Sequence, residues 1–135
     1  MNKAFTSQKT FTEWLNSDEE IRDEYDEVEV KCGLVLHDDD KLKNLPRNLN
    51  VGGYLSLEGC SSLKSLPEEL KVEGWLDLAG CSSLSSLPEG LKVGEGLDLR
   101  HCTALTNLPE GMEVGEGLDL EGCTSLTSLP EGMEV

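Results

Sequence analysis

Five consecutive segments of this chain repeat with a period of 21 residues, and nothing else in the sequence restricts the fold as tightly. Leu34, Leu55, Leu76, Leu97 and Leu118 are 21 apart, and so are Leu36, Leu57, Leu78, Leu99 and Leu120. Two further columns run Leu42, Leu63, Leu84, Leu105, Leu126 and Leu45, Leu66, Leu87, Leu108, Leu129. All five prolines share one column, Pro46, Pro67, Pro88, Pro109 and Pro130. Val30, Val51, Val72, Val93, Val114 and Val135 form another, preceded two residues earlier by Val28, Leu49, Leu70, Leu91, Met112 and Met133. A unit of this size cannot bury its own apolar side chains, but stacked copies can bury each other's. Aromatic residues make up only 4% of the chain, which argues against an ordinary globular core and for Leu aligned in register.

The segment 70–90, LKVEGWLDLAGCSSLSSLPEG, gives the local physics of one unit. Leu70 and Val72 flank polar Lys71, the alternation of a short half-buried strand. Glu73-Gly74 turns the chain, as do Gly52-Gly53, Gly94-Glu95 and Gly115-Glu116 elsewhere. Leu76 and Leu78 make a second period-two strand with Trp75, Asp77 and Ala79 outward. After a bend at Ala79-Gly80, Cys81, Leu84 and Leu87 point inward at a spacing of three, which suits a 3₁₀ or irregular arc that Pro88 ends. Stacked about 4.8 Å apart through parallel ladders, five such coils predict a mainly β repeat solenoid roughly 24 Å long.

Residues 1–27 are expected to form an acidic helical cap, and 28–135 the solenoid of five units plus the start of a sixth. Phe11, Trp14, Leu15, Ile21 and Tyr25 recur at helical spacing across 8–26, with Ser7 or Thr10 as N-cap and Ser17 with Glu20 as a second capping box if the helix breaks at Asn16. This apolar stripe is expected on the Val28–Leu36 coil; an independent docking helix is the rival reading. The opposite end has no such cover, so further repeats or another copy are expected to stack on it.

The strings LSLEGCSSLKSLP (55–67), LDLAGCSSLSSLP (76–88), LDLRHCTALTNLP (97–109) and LDLEGCTSLTSLP (118–130) resemble the leucine-rich repeat superfamily. The resemblance implies that the L-x-L strand lines a concave recognition face and that Cys60, Cys81, Cys102 and Cys123 close the turn after it, with Asp39 in that place in the first unit. It also implies protein recognition. The LPEGLxVG linkage looks like a bacterial or phage-type array. The CSSLxSLPE wording is similar to plant immune-receptor repeats, whose longer units lack the inserted L-x-V-G-G strand. Some bacterial members carry a ubiquitin-ligase domain, which nothing in these 135 residues matches.

The formal net charge of −16 disfavours nucleic acid and anionic membranes as partners and favours a basic protein surface. Charge that merely keeps the array soluble is the plainer alternative. The sequence has no stretch apolar and long enough for a signal peptide or membrane helix, so five Cys read as reduced thiols and the expected location is cytoplasmic, or a host cytosol for an injected effector. Cys spaced by 21 lie in a line and do not converge on a metal as zinc ligands do; Cys32 lies outside that line, in a turn, with no assigned role. His37 and His101 fall in different columns, and no nucleophile elbow or phosphate loop is present. No enzymatic activity, metal or cofactor is therefore expected.

The outward face of the L-x-L strands carries the variation. Its columns are Gly33, Tyr54, Trp75, Gly96, Gly117; Val35, Ser56, Asp77, Asp98, Asp119; and His37, Glu58, Ala79, Arg100, Glu121. Stacked aspartates repel each other with no evident structural return, whereas aromatics beside acids suit a Lys or Arg side chain. Tyr54, Trp75, Asp77, Asp98, Arg100 and Asp119 are the candidate protein-binding residues. The alternative is that the Asp column is only a solvated repeat consensus. The Glu68, Glu89, Glu110, Glu131 column behind each Pro reads as solubilising. The function expected is a protein-interaction scaffold, with two alternatives: the recognition arm of a larger enzyme such as a ligase effector, or an acidic nucleic-acid mimic.

Overall fold

A computed structural model describes residues 2–16 and 25–130. The chain winds into a β-solenoid of about five turns. Each turn contributes one short strand to each of two parallel sheets. The first sheet holds β1 (Asn2–Phe5), β2 (Glu27–Val30), β4 (Leu49–Val51), β6 (Lys71–Val72), β8 (Lys92–Val93) and β10 (Glu113–Val114), in that spatial order. The second holds β3 (Leu34–Val35), β5 (Leu55–Ser56), β7 (Leu76–Asp77), β9 (Leu97–Asp98) and β11 (Leu118–Asp119). Register follows the repeat: Leu55 pairs with Leu76, Leu76 with Leu97 and Leu97 with Leu118. The backbone bonds run from one turn to the next, as in Leu55 N–H to the Trp75 carbonyl at 2.8 Å and Leu76 N–H to the Gly96 carbonyl at 2.9 Å.

Period-two alternation turns the leucines into the space between the sheets. Leu34, Leu55, Leu76 and Leu97 are fully buried, as are Leu57, Leu78 and Leu99 from the same strand ends. The arc contributes Leu63, Leu84 and Leu105, also fully buried. Its hydrogen bonds close three residues back, Cys81 N–H to the Leu78 carbonyl at 3.1 Å and Leu84 N–H to the Cys81 carbonyl at 3.2 Å, as the spacing of inward residues requires.

Among the described residues, two corner columns of the coil adopt left-handed backbone. One column runs Asp38, Gly59, Gly80, His101 and Gly122, with φ from 53° to 77°; the other runs Asn48, Glu69, Gly90 and Gly111, with φ from 56° to 75°. Glycine takes this conformation without steric cost, and Asn and Asp tolerate it better than most residues. The bend at Ala79-Gly80 is expected from sequence. The second corner, where Asn48 and Glu69 precede two glycines, is not anticipated there.

The N-terminal segment covers the first coil, but not by a helix alone. Helix α1 spans Gln8–Leu15 and ends at its C-cap Asn16, the break that the sequence allows within 8–26. Ser7 is its N-cap, in extended backbone with its side chain accepting from Thr10 N–H at 3.4 Å. Phe11, Trp14 and Leu15 are buried on one face, the i, i+3, i+4 stripe. Ile21 and the Ser17–Glu20 capping box lie outside the described residues. Tyr25 lies in no helix, yet its ring meets Trp14 at 6.0 Å and 72°.

Strand β1 is a further departure from expectation. Residues 2–5 lack a repeat signature, yet they pair in parallel with β2, Phe5 opposite Val30, and close the edge of the first sheet. Gln8 does the same for the second sheet with one side chain. Its Nε2 donates to the Val35 carbonyl at 2.8 Å and its Oε1 accepts from Val35 N–H at 2.9 Å, the two bonds a neighbouring strand would make. Phe5 ties β1 to the helix, with Phe11 at 5.4 Å edge-on and Trp14 at 5.2 Å. At the far end coverage falls off: Leu118, Leu120 and Leu126 are half-buried, and Leu129 is 57% exposed where its counterpart Leu108 is 5%.

Leu84 sits fully buried at the centre of its column. Leu84→Asp places an unpaired charge there and is expected to cost more than about 3 kcal/mol. The urea midpoint measures this, and an unchanged midpoint would reverse the inward assignment of that column.

Candidate functional site

The outward face of the second sheet is built one rung at a time, and each rung puts the same positions side by side. Tyr54 and Trp75 occupy neighbouring rungs and are 51% and 47% exposed. Their rings do not stack on each other. A Cβ added at Gly33 would lie 2.5 Å from Tyr54 Cε1, and one added at Gly96 would lie 2.0 Å from Trp75 Cζ3. Tyr54 therefore leans back over the first rung and Trp75 forward over the fourth, each ring in space that a side chain at that glycine would fill. This accounts for Gly33 and Gly96 in an otherwise variable column. Among the described residues the close ring pairs all lie in the N-terminal cap.

The Asp column has a structural duty, contrary to the expectation from sequence. At the end of each L-x-L strand the chain turns, and the amide two residues on must find an acceptor. Asp77 Oδ1 accepts Ala79 N–H, Asp98 Oδ1 accepts Arg100 N–H and Asp119 Oδ1 accepts Glu121 N–H, each at 3.0 Å. These are side-chain-to-backbone turns of the kind Asp favours. Repulsion along the column is relieved by Arg100, whose Nη2 and Nε reach Asp98 Oδ2 at 2.7 and 3.0 Å and whose Nε lies 3.8 Å from Asp119 Oδ2. Burial pushes the Asp98 carboxyl up, but the Arg100 side-chain bonds, its backbone amide and its charge outweigh that and hold the group below the usual carboxylate range. The Arg100 guanidinium is raised in turn by the Asp98 bond. Asp77 makes its turn bond, and among the described residues no cation lies within ion-pair distance of it.

Two outward positions are covered. Ser56 is 7% exposed, its Oγ bonded to His37 Nε2, which also lies 4.0 Å from Glu58 Oε2. Ala79 is 8% exposed. The accessible part of this face is thus Tyr54, Trp75, Asp77, Asp98, Arg100 and Asp119, with Glu58 and Glu121 at its border.

On the inner side of the same corner the Cys column does matching work. Cys60, Cys81, Cys102 and Cys123 donate from Sγ to the carbonyls of Leu36, Leu57, Leu78 and Leu99, at 2.9, 3.1, 3.1 and 3.0 Å. Each thiol ties its corner to the preceding coil. Asp39 takes this place in the first coil and caps its own turn, accepting from Lys41 and Leu42 N–H at 3.0 and 3.1 Å. Burial, then the neighbouring thiols, push Cys81 up to about 12; burial and Cys123 push Cys102 to the same value. Burial also raises Cys60 and Cys123. A thiol held protonated is a donor and a poor nucleophile or metal ligand. Cys32 is half-buried outside this column.

No helix among the described residues is long and apolar enough to cross a membrane. Comparisons with protein families, with curated proteins and with solved structures give no match.

Two predictions follow from the corner. A thiol whose pKa is higher in the folded chain than its ordinary 9.0 favours folding while it keeps its proton, so its contribution is whole below pH 9 and is lost as pH climbs through about 12. Melting temperature should fall across that window, and a Cys81→Ser, Cys102→Ser double variant should show a shallower slope; equal slopes would remove the thiols from the account. Asp77→Ala should cost about 1 kcal/mol by leaving the Ala79 amide unpaired, and Asp77→Asn, which keeps the acceptor, should cost much less. Equal losses in urea unfolding would mean that charge, not the turn bond, is what Asp77 supplies.

Proposed function

We propose that this chain is a protein-interaction scaffold that recognises a basic protein or peptide surface through the outward face of its L-x-L strands. The observation that carries the reading is the pair of half-exposed aromatics, Tyr54 and Trp75, each spread over a glycine beside a row of carboxylates. Large rings bound to a rigid sheet lose little conformational freedom on binding, which is why aromatics anchor interfaces. Across that face Glu58, Asp77, Asp98, Asp119 and Glu121 face a single guanidinium, Arg100, so the field there is negative even after the Asp98–Arg100 pair is discounted. The repeat's resemblance to the leucine-rich type supports the same class of activity. A cytosolic setting fits the buried thiols, which serve as hydrogen-bond donors only in the reduced state.

The turn bonds of the Asp column do not compete with this use. Each carboxylate gives Oδ1 to the backbone, and Asp77 keeps Oδ2 for a partner. Binding of immobilised Lys/Arg-rich peptides should weaken as salt rises, since exposed pairs are screened within about 10 Å at 0.1 M. Trp75→Ala should mainly speed dissociation, by about tenfold or more for a central anchor, while Asp77→Asn should mainly slow association. Both rates are read by surface plasmon resonance. Affinity that ignores both substitutions would overturn the reading.

A further inference from the structure

The third rung ends in two residues without reach, Ala79 and Gly80, while its neighbours end in Glu58-Gly59 and Arg100-His101. The result is a notch across the corner, a cavity of about 260 Å3 lined by Asp38, Glu58, Gly59, Ala79, Gly80, Arg100 and His101. Glu58 and Arg100 stand two rungs apart, about 10 Å at the spacing of parallel strands. The notch is open at its floor: a Cβ added at Gly80 would meet nothing nearer than the Gly59 backbone at 3.7 Å.

The walls differ in what they present. Asp38 projects over Gly59, its Oδ1 2.0 Å from where a Cβ would stand there, so one side carries carboxylates. On the other side both nitrogen-bearing groups turn away from the notch. Arg100 is drawn towards Asp98 and Asp119. The His101 ring lies over Gly122, its Nδ1 2.3 Å from the Cβ position. The space over Ala79 and Gly80 is therefore bordered on one side by the carboxylates of Asp38 and Glu58, the latter 4.0 Å from His37 Nε2, and on the other by a guanidinium engaged with Asp98 and an imidazole turned over Gly122. Trp75 and Asp77 lie on the same rung outside the notch, with strand only at Leu76–Asp77 between Trp75 and the turn at Ala79, so the four-residue step from Trp75 to Ala79 spans at most about 13 Å.

We infer that the notch receives a Lys or Arg side chain of an extended peptide laid along the third rung, with its charge against Asp38 and Glu58. The residue four positions away in that peptide then rests on Trp75, and Asp77 faces the residues between. This rests on the reading of the face as a site for basic partners, and gives that partner a register: two contact residues spaced i and i+4 on a strand.

The test uses the full chain and an acetylated, amidated probe, Arg-Ala-Ala-Ala-Arg, titrated by amide chemical shifts with the same peptide carrying Glu in place of Arg as control. Saturable shifts are expected at Gly59, Gly80 and the Trp75 indole with the Arg peptide only. Gly80→Asn fills the notch with a residue that tolerates left-handed backbone and should weaken binding at least fivefold. Glu58→Gln, an exposed change that removes one wall's charge, should weaken it about threefold or more. Binding that stays dependent on Trp75 but ignores Gly80→Asn and Glu58→Gln would overturn the notch and leave the broader reading standing. No saturable binding of the Arg peptide, or equal binding of the Glu peptide, would overturn both.

Discussion

The hydrogen bond between one rung and the next is the interaction on which the rest of this structure depends. The strands are two to four residues long, too short to hold a sheet on local contacts, and the eight-residue helix is too short to persist alone. What holds them is repetition in phase, with Leu34 N–H on the Tyr54 carbonyl, Leu55 on Trp75, Leu76 on Gly96 and Leu97 on Gly117. The same offset stacks each leucine on its equivalents and closes a continuous core between two sheets. It also imposes a cost, because every polar position is stacked on its equivalents too. The corner after the third, fourth and fifth L-x-L strands resolves that with two side chains, an aspartate that accepts the outer amide and a cysteine that donates to an inner carbonyl of the coil before.

The ends of such an array meet a different constraint, since a parallel sheet has open edges at its first and last rungs. At the N-terminal end, β1 supplies a true strand for one sheet, and the amide of Gln8 supplies the donor and acceptor of a strand for the other. The aromatic residues of the cap sit where the repeated leucines have no predecessor to pack on. That placement explains why most of the chain's few aromatics are found before the first repeat.

The core was legible in the sequence because its signal is redundant: Leu76 is placed by its own alternation and again by Leu55 and Leu97. What escaped notice lacked that redundancy. Asn2–Phe5 has no repeat to align with, and its strand exists only because β2 offers an edge. Glu69 gives no sign of left-handed backbone by residue type; Asn48 and the glycines at 90 and 111 in its column point to it. The aspartates of the candidate site form a visible column in the sequence, but their structural return is hidden there, because a turn bond from side chain to backbone leaves no mark in periodicity. Trp75 and Tyr54 point outward, as the alternation with Leu76 and Leu55 predicts, and the lean of their rings is foreshadowed by Gly33 and Gly96, the small neighbours that make room for them. The site that emerges combines both roles: the same carboxylates that end the strands charge the surface, and a rung with short side chains opens a notch in it.

Through-hydrogen-bond scalar couplings between backbone nitrogen and carbonyl carbon test the rung-to-rung register most directly, in a chain of 14.7 kDa that suits the method. The account predicts correlations from the amides of Leu34, Leu55, Leu76 and Leu97 to the carbonyls of Tyr54, Trp75, Gly96 and Gly117, the same offset in every turn. Correlations at any other offset, or between residues close in sequence at these positions, would contradict it.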